Sequence, residues 1–349
     1  MPVMTSRDSS ETTCRPADWQ SIITFFLLNY AAHAMTIVRY PGESPLATFY
    51  FSLTALLMPF SGIVKASISI SVGSLRSPNA LKQALYAGAL VEVVEGKSDS
   101  ESKHWNIHGR VHLPSGFCFR KVEAKIEFAN VDGRSDQLSC SFSRLAAVVA
   151  IFQLLFSVFT LVHTNLGNQI QLYGYAAYGF TVVPYAAMSL VNLVANSVTP
   201  NYPTLYMIRT PTMADAEAAG GMFDGVIADM ATERKTDVCK KYPASMGLLA
   251  FVLAILALAA PWAIIYGLTG FRPGGSNGAQ QAAIIIWILL GQLAGFINTF
   301  WFLEDPTEPG AGWIVLIAMS LFLGGPSLWG FYEVGQMLLA HGNCSGASE

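Results

Sequence analysis

Residues 246–268 read MGLLAFVLAILALAAPWAIIYGL, without one charged side chain. At 1.5 Å per residue, a helix of this length reaches across a hydrocarbon core about 30 Å thick. Six further apolar runs, at 19–38, 46–64, 145–163, 171–195, 282–303 and 311–332, repeat the pattern. The run 46–64 is the weakest, because Pro59 and Gly62 interrupt it. Composition agrees: the 349 residues are 52% hydrophobic and 12% charged, against about 25% charged in soluble domains. The expected fold is an all-α integral membrane protein, a seven-transmembrane-helix bundle with a cytosolic α+β insertion between helices 2 and 3.

The chain divides into an N-terminal tail (1–18), helices 1–2 (19–64), the insertion or cap (65–144), helices 3–4 (145–195), a loop (196–245), helices 5–7 (246–340) and a C-terminal tail (341–349). Seven crossings put the N-terminal tail, the insertion, the loop 196–245 and the turn 304–310 on one side. That side then holds 18 of the 20 Lys and Arg residues, and the other holds Arg39 and Arg272. The positive-inside rule predicts a cytosolic N-terminus and a lumenal C-terminus, in the endoplasmic reticulum or another endomembrane. No basic block of the kind that binds nucleic acid is present.

In this topology Cys14, Cys118, Cys140 and Cys239 face a reducing cytosol and Cys344 stands alone in the lumen, so no disulfide framework is expected. Asn343-Cys344-Ser345 is a sequon, which makes Asn343 a candidate glycosylation site. Ala32-His33-Ala34 has the form of a signal-peptidase site. Residues 1–18, however, are long and polar, with Asp8, Glu11 and Asp18 outnumbering Arg7 and Arg15, so the first run is expected to stay as a span.

Within the insertion, Leu81, Leu85, Ala89 and Val93 recur at spacing four and predict a helix lying on the membrane surface. Lys121 to Phe128 alternates polar and apolar and predicts a half-buried strand within a hairpin. His104, His108 and His112 also recur at spacing four, but Gly109 and Pro114 oppose a helix there. A solvated loop is expected, with no metal. In the second loop the prolines and aromatics of 199–209 suggest a rigid segment at the membrane face, and its last residue, Arg209, is a candidate substrate contact.

Polar side chains inside lipid are costly and so are the first functional candidates. Asn29 and His33 share one face of the first helix, with Tyr30 beside them. The ordinary alternative for that face is hydrogen bonding between helices. Asn298, Trp301 and Asp305 share a face at the end of the sixth run, where Asp305 follows an aromatic stretch and Glu304 precedes it. Desolvation disfavours the charged form of a carboxyl, so an acid against aromatic rings can keep its proton at neutral pH and donate it. The ordinary alternative is an acidic helix end at the water interface. Glu333, after Trp329, Phe331 and Tyr332, is the third such candidate. The chain has no Asp-Asp-x-x-Asp, Walker, Gly-x-Ser-x-Gly or His-Glu-x-x-His motif, and Pro306 and Pro309 break the cluster around Glu304 and Glu308. Metal-dependent diphosphate chemistry is therefore not expected.

Four segments carry a resemblance: Cys14-Arg15-Pro16-Ala17-Asp18-Trp19; Phe25-Phe26-Leu27-Leu28-Asn29-Tyr30-Ala31-Ala32-His33-Ala34; Pro41-Gly42-Glu43; and Asn201-Tyr202-Pro203-Thr204-Leu205-Tyr206. They resemble the membrane-bound terpene cyclases of ascofuranone, ascochlorin and macrophorin type biosynthesis in fungi. The resemblance implies cyclisation of a farnesyl chain carried on an aromatic or polyketide-derived head, a hydrophobic prenylated substrate, and no cofactor. In that setting Asp305 is the leading proton donor, Glu304 and Glu333 are its substitutes, and Asn29 and His33 line the pocket. Buried polar residues and broken spans also suit a transporter of a small metabolite, and the insertion would suit a sensor or scaffold.

Overall fold

The computed structural model describes residues 13–73, 79–96, 105–122, 138–140, 143–163, 166–230, 244–304, 318 and 320–345. A short strand, β1 (Thr13–Arg15), precedes helix α1 (Trp19–Phe26), which runs through a π-helical turn (Leu27–Ala31) into α2 (Ala32–Ala34). Next come α3 (Pro45–Leu57), α4 (Pro59–Gly73), α5 (Ala80–Tyr86) and strands β2 (Leu90–Glu95), β3 (Val111–His112) and β4 (Phe117–Lys121). After α6 (Arg144–His163) and α7 (Leu166–Tyr173), two 3-10 turns lead to α8 (Val182–Val198). Then follow β5 (Tyr206–Arg209), α9 (Pro211–Ala218), β6 (Met222–Phe223) and β7 (Val226–Asp229). The chain continues with α10 (Ala244–Thr269), α11 (Gly278–Glu304), α12 (Gly325–His341) and β8 (Asn343–Ser345).

Among the described residues, four segments are long and apolar enough to cross a membrane: Arg144–Leu161, Tyr178–Val198, Leu248–Thr269 and Gly278–Gly295. They coincide with four of the seven expected runs. Two of them expose large apolar side chains, Leu145, Phe152 and Leu155 on α6 and Leu248, Phe251 and Leu256 on α10, of the kind that face lipid rather than water. The seventh expected run, 311–332, lies partly outside the described residues. Within it residues 320–323 are helical, Gly324 makes a turn, and the helix Gly325–His341 follows with Pro326, which has a preset φ and no orphan N–H, in its first turn.

The run 46–64 does not form one span. The chain breaks at Met58, whose backbone leaves the helical region (φ −134°, ψ 80°), and Pro59 starts α4. Lys65 Nζ lies 3.7 Å from the centroid of the Phe51 ring. A continuous helix would hold these residues about 21 Å apart, so α3 and α4 fold back on each other as a helical hairpin. Its tip is in the bundle core, and its freed backbone groups are satisfied there. Tyr185 Oη donates to Leu56 O (2.6 Å), Ser327 Oγ donates to Leu57 O, and Ser61 N donates to Met58 O (2.9 Å). Non-helical backbone inside a membrane bundle is tolerated under that condition. α11 approaches the hairpin closely at Gly295, where a Cβ would lie 2.7 Å from Ser61 N.

The cap is built from both long connections, not from the insertion alone. β4, β2, β5 and β7 form one mixed sheet in that order, antiparallel between β4 and β2 and parallel elsewhere. β3 and β6 form a second pair. The helical stripe expected over 81–93 is corrected. α5 stops at Tyr86, Gly88 takes φ 71°, and Ala89 begins the approach to β2. Val91, Val93 and Val94 are β-branched and favour a pleated strand over a helix. Leu81 and Leu85 pack against Tyr202, Tyr206 and Ile208 of the cap, not against a membrane surface. The strand expected from Lys121 to Phe128 lies mostly outside the described residues, and β4 ends where it would begin.

The two ends of the chain are joined. β1 pairs antiparallel with β8, with Cys14 opposite Cys344 and Arg15 opposite Asn343, and Ala17 N donates to Leu338 O at 3.0 Å. Strands bonded to each other bring the two ends of the described chain to one end of the bundle. Cys344 is therefore not alone. The same end of the bundle holds Tyr173, bonded to His341 Nδ1 at 2.9 Å, and the turn at Arg272, whose carbonyl accepts from Tyr175 N. The sheet lies at the opposite end, joined to the bundle where Thr199 Oγ1 donates to Ser69 O (2.8 Å) and Asn196 Nδ2 to Thr36 O (3.0 Å).

Candidate functional site

His33 and Asn29 sit where the first helix meets α6 and α8. Gln153 Nε2 donates to Ala32 O (2.6 Å), which turns Gln153 Oε1 toward Ser189, and Ser189 Oγ donates to that oxygen (3.2 Å). With its proton so committed, Ser189 Oγ accepts from His33 Nδ1 (2.5 Å). His33 Nε2 then accepts from Ser157 Oγ (2.9 Å). Both ring nitrogens are occupied and the side chain is fully buried. This arrangement joins α2, α6 and α8, each bond contributing about 0.6 kcal/mol by the membrane average. Of the two readings open for His33, the contacts favour a tie between helices. Asn29 is less settled: Nδ2 donates to Phe25 O (3.0 Å), and Oδ1 is buried without a partner. On α8, one turn beyond Ser189, Asn192 has neither amide atom paired.

Tyr30 anchors an aromatic cluster. Its hydroxyl meets Thr181 Oγ1 at 2.6 Å. Its ring lies 4.9 Å from Tyr185, 5.1 Å from Phe331, 5.4 Å from Phe26 and 5.8 Å from Trp287, centroid to centroid. Gly330 permits this packing, since a Cβ there would run into the Trp287 ring. The π-helical turn at Leu27–Ala31 helps to present both Asn29 and Tyr30 inward, as both are buried.

Glu333 stands on α12, two residues beyond Phe331 of that cluster. It is 9% exposed, and Trp329 Nε1 donates to its Oε1 at 3.4 Å. Two other carboxylates with buried side chains have cationic partners: Glu43 pairs with Lys65 and Glu92 with Arg120. Glu333 has none among the described residues.

Asp305 lies outside the described residues. Glu304, Asn298 and Trp301 lie on α11, but their side chains are outside the description, as is that of Asn343 in β8. Arg209 is on β5 in the cap, where its guanidinium forms a two-point pair with Glu217 (3.0 and 3.2 Å). It is spatially a cap residue, tied within the sheet layer. Among the described residues, no group of three His, Cys, Asp or Glu residues could hold a metal ion. His108 instead stacks on Tyr206, 5.2 Å between centroids.

A second polar site was not anticipated from the sequence. Glu43 and Lys65 are each only 4% exposed at the side chain and meet at 2.9 Å. Lys65 Nζ also lies 4.3 Å from the Tyr40 ring centroid and 3.7 Å from that of Phe51. The available signal was Lys65 itself, an ionisable residue in the apolar run Ile63-Val64-Lys65-Ala66.

Fold and site together define a helical bundle with segments long and apolar enough to cross a membrane, a small mixed sheet at one end and buried polar groups in its core. No protein family, curated protein or solved structure matches the chain.

Proposed function

We propose that the protein is an integral membrane terpene cyclase that protonates and cyclises the prenyl chain of a meroterpenoid intermediate. One observation carries this reading: Glu333 is a buried carboxyl with no cationic partner among the described residues, bonded to the Trp329 indole on the helix that also carries Phe331 of the aromatic cluster. Such chemistry needs an acid held away from water and aromatic faces that stabilise passing cations. The Glu333 carboxyl gives its proton to a terminal alkene or epoxide of the substrate. The resulting cation is attacked by the next double bond, and the last cation loses a proton. Proton uptake and release balance, so the product is an isomer of the substrate and no redox partner is required. Asp305 and Glu304 remain the alternative acids. The full-length protein, purified in detergent and given a farnesylated phenol or its terminal epoxide, is expected to form cyclic isomers seen by mass-resolved chromatography. Unchanged substrate would defeat the reading. Unchanged substrate that crosses a liposome membrane would favour a transporter, which the α3–α4 hairpin also suits.

This reading includes a topology. The crossings are α1–α2, α6, α8, α10, α11 and the segment from 320 to 341, with α3–α4 entering and leaving on the sheet side. Six crossings place both chain ends on one face, in keeping with the β1–β8 pair. The sheet side then carries Arg39 and every Lys and Arg of 65–144 and 196–245, 17 of the chain's 20. The other side carries Arg7, Arg15 and Arg272. The positive-inside rule makes the sheet side cytosolic and both ends lumenal. Epitope tags on the two termini should be protected from protease together in sealed microsomes. Protection of one alone would refute the even count.

A further inference from the structure

We infer that Glu43, Lys65 and Thr204 form a recognition site for the hydroxyl-bearing head of the substrate, at the sheet-side mouth of the bundle. Glu43 Oε2 accepts from Lys65 Nζ and from Tyr40 N, both at 2.9 Å. Glu43 Oε1 is equally buried and has no partner. Lys65 does not serve that oxygen, because its ammonium is held between Glu43 Oε2 and the Tyr40 and Phe51 rings. A buried carboxylate oxygen without a donor requires an explanation, and a ligand hydroxyl supplies one. It would give a charge-assisted hydrogen bond, roughly twice as strong as a neutral one.

Thr204 is the second half of the site. Gly42, at φ 68°, packs on Leu205 so closely that a Cβ there would overlap its side chain. The Glu43 loop is thereby pressed against the segment that carries Thr204. Thr204 Oγ1 is also buried without a partner and offers a hydroxyl to a second oxygen of the head. Arg39 is exposed nearby, where the loop meets water.

The site rests on the cyclase reading for its prenylated ligand and sits at a fitting distance from the proposed acid. From Phe51 to Leu57 is about 9 Å of helix, and from Ser327, bonded to Leu57 O, to Glu333 is about another 9 Å. A farnesyl chain anchored by its head near Glu43 would have to span about that length to bring its far end to Glu333.

The test is equilibrium binding to the full-length protein in detergent, followed by tryptophan fluorescence. The probes are a farnesylated phenol and its methyl ether, which cannot donate. The phenol is expected to bind about tenfold more tightly. The preference should vanish in Glu43→Leu/Lys65→Met, which removes the accepting oxygens and both charges together, and persist in Glu333→Gln. Equal binding of phenol and ether by the unaltered protein overturns the inference, whatever the variants do. So does a preference that survives the double substitution. A protein that discriminates the probes but forms no cyclic product upholds this site and overturns the cyclase reading. One that cyclises without discriminating does the reverse.

Discussion

Glu333→Gln is expected to lower turnover by about 10²- to 10⁴-fold, the usual contribution of a positioned general acid. The substitution keeps the volume and keeps an oxygen that can accept from Trp329 Nε1, so the contact within α12 survives. What it removes is the transferable proton. Expression, detergent extraction and the thermal unfolding midpoint should stay near those of the unaltered protein, which separates lost chemistry from lost fold. The measurement is single-turnover formation of cyclic product with saturating enzyme. A Glu333→Gln protein that retains its rate moves the acid to Asp305 or Glu304, and Asp305→Asn then becomes the deciding variant.

Lys65→Met should destabilise the folded protein by about 3–5 kcal/mol, the range for breaking a buried ion pair by removing one partner. The Glu43 carboxylate would be left buried with one oxygen already unpartnered and the other served only by Tyr40 N. The cation–π contacts with Tyr40 and Phe51 would be lost as well. Adding Glu43→Gln should restore most of the loss, because two neutral groups of similar size avoid the desolvation that the pair must offset. Denaturant titration in mixed micelles measures both. If Lys65→Met is as stable as the unaltered protein, the ion pair contributes nothing measurable and α3–α4 is held by its apolar contacts.

Legibility in the sequence followed the range of the forces involved. Residues 246–268 and 282–303 could be read because nearly every position favours the same environment. The run 46–64 has the same hydropathy, but Met58 and Pro59 let it turn back once Tyr185 and Ser327 supply partners for its carbonyls. Those partners lie more than 120 residues away and leave no local trace. The spacing of Leu81, Leu85, Ala89 and Val93 fits a helix and also fits a helix followed by a strand. β5 and β4 decide between them by pairing with β2. Asn29 and His33 were identifiable as inward-facing polar residues. That His33 is fully bonded, while Asn29 keeps a free oxygen, depended on Gln153, Ser157 and Ser189 from two other helices.

By itself the sequence determined which long helices are apolar enough to cross a membrane and where along the chain its positive charge collects. Each of these is a sum over neighbouring residues, and sums of that kind survive without knowledge of the fold. Only the tertiary structure decided that the second run is a hairpin, that the ends meet at Cys14 and Cys344, and which buried carboxylates have a cation. Those outcomes depend on single contacts between residues far apart in the chain, and a hydrogen bond or ion pair acts over a few ångströms of space whatever the distance in sequence.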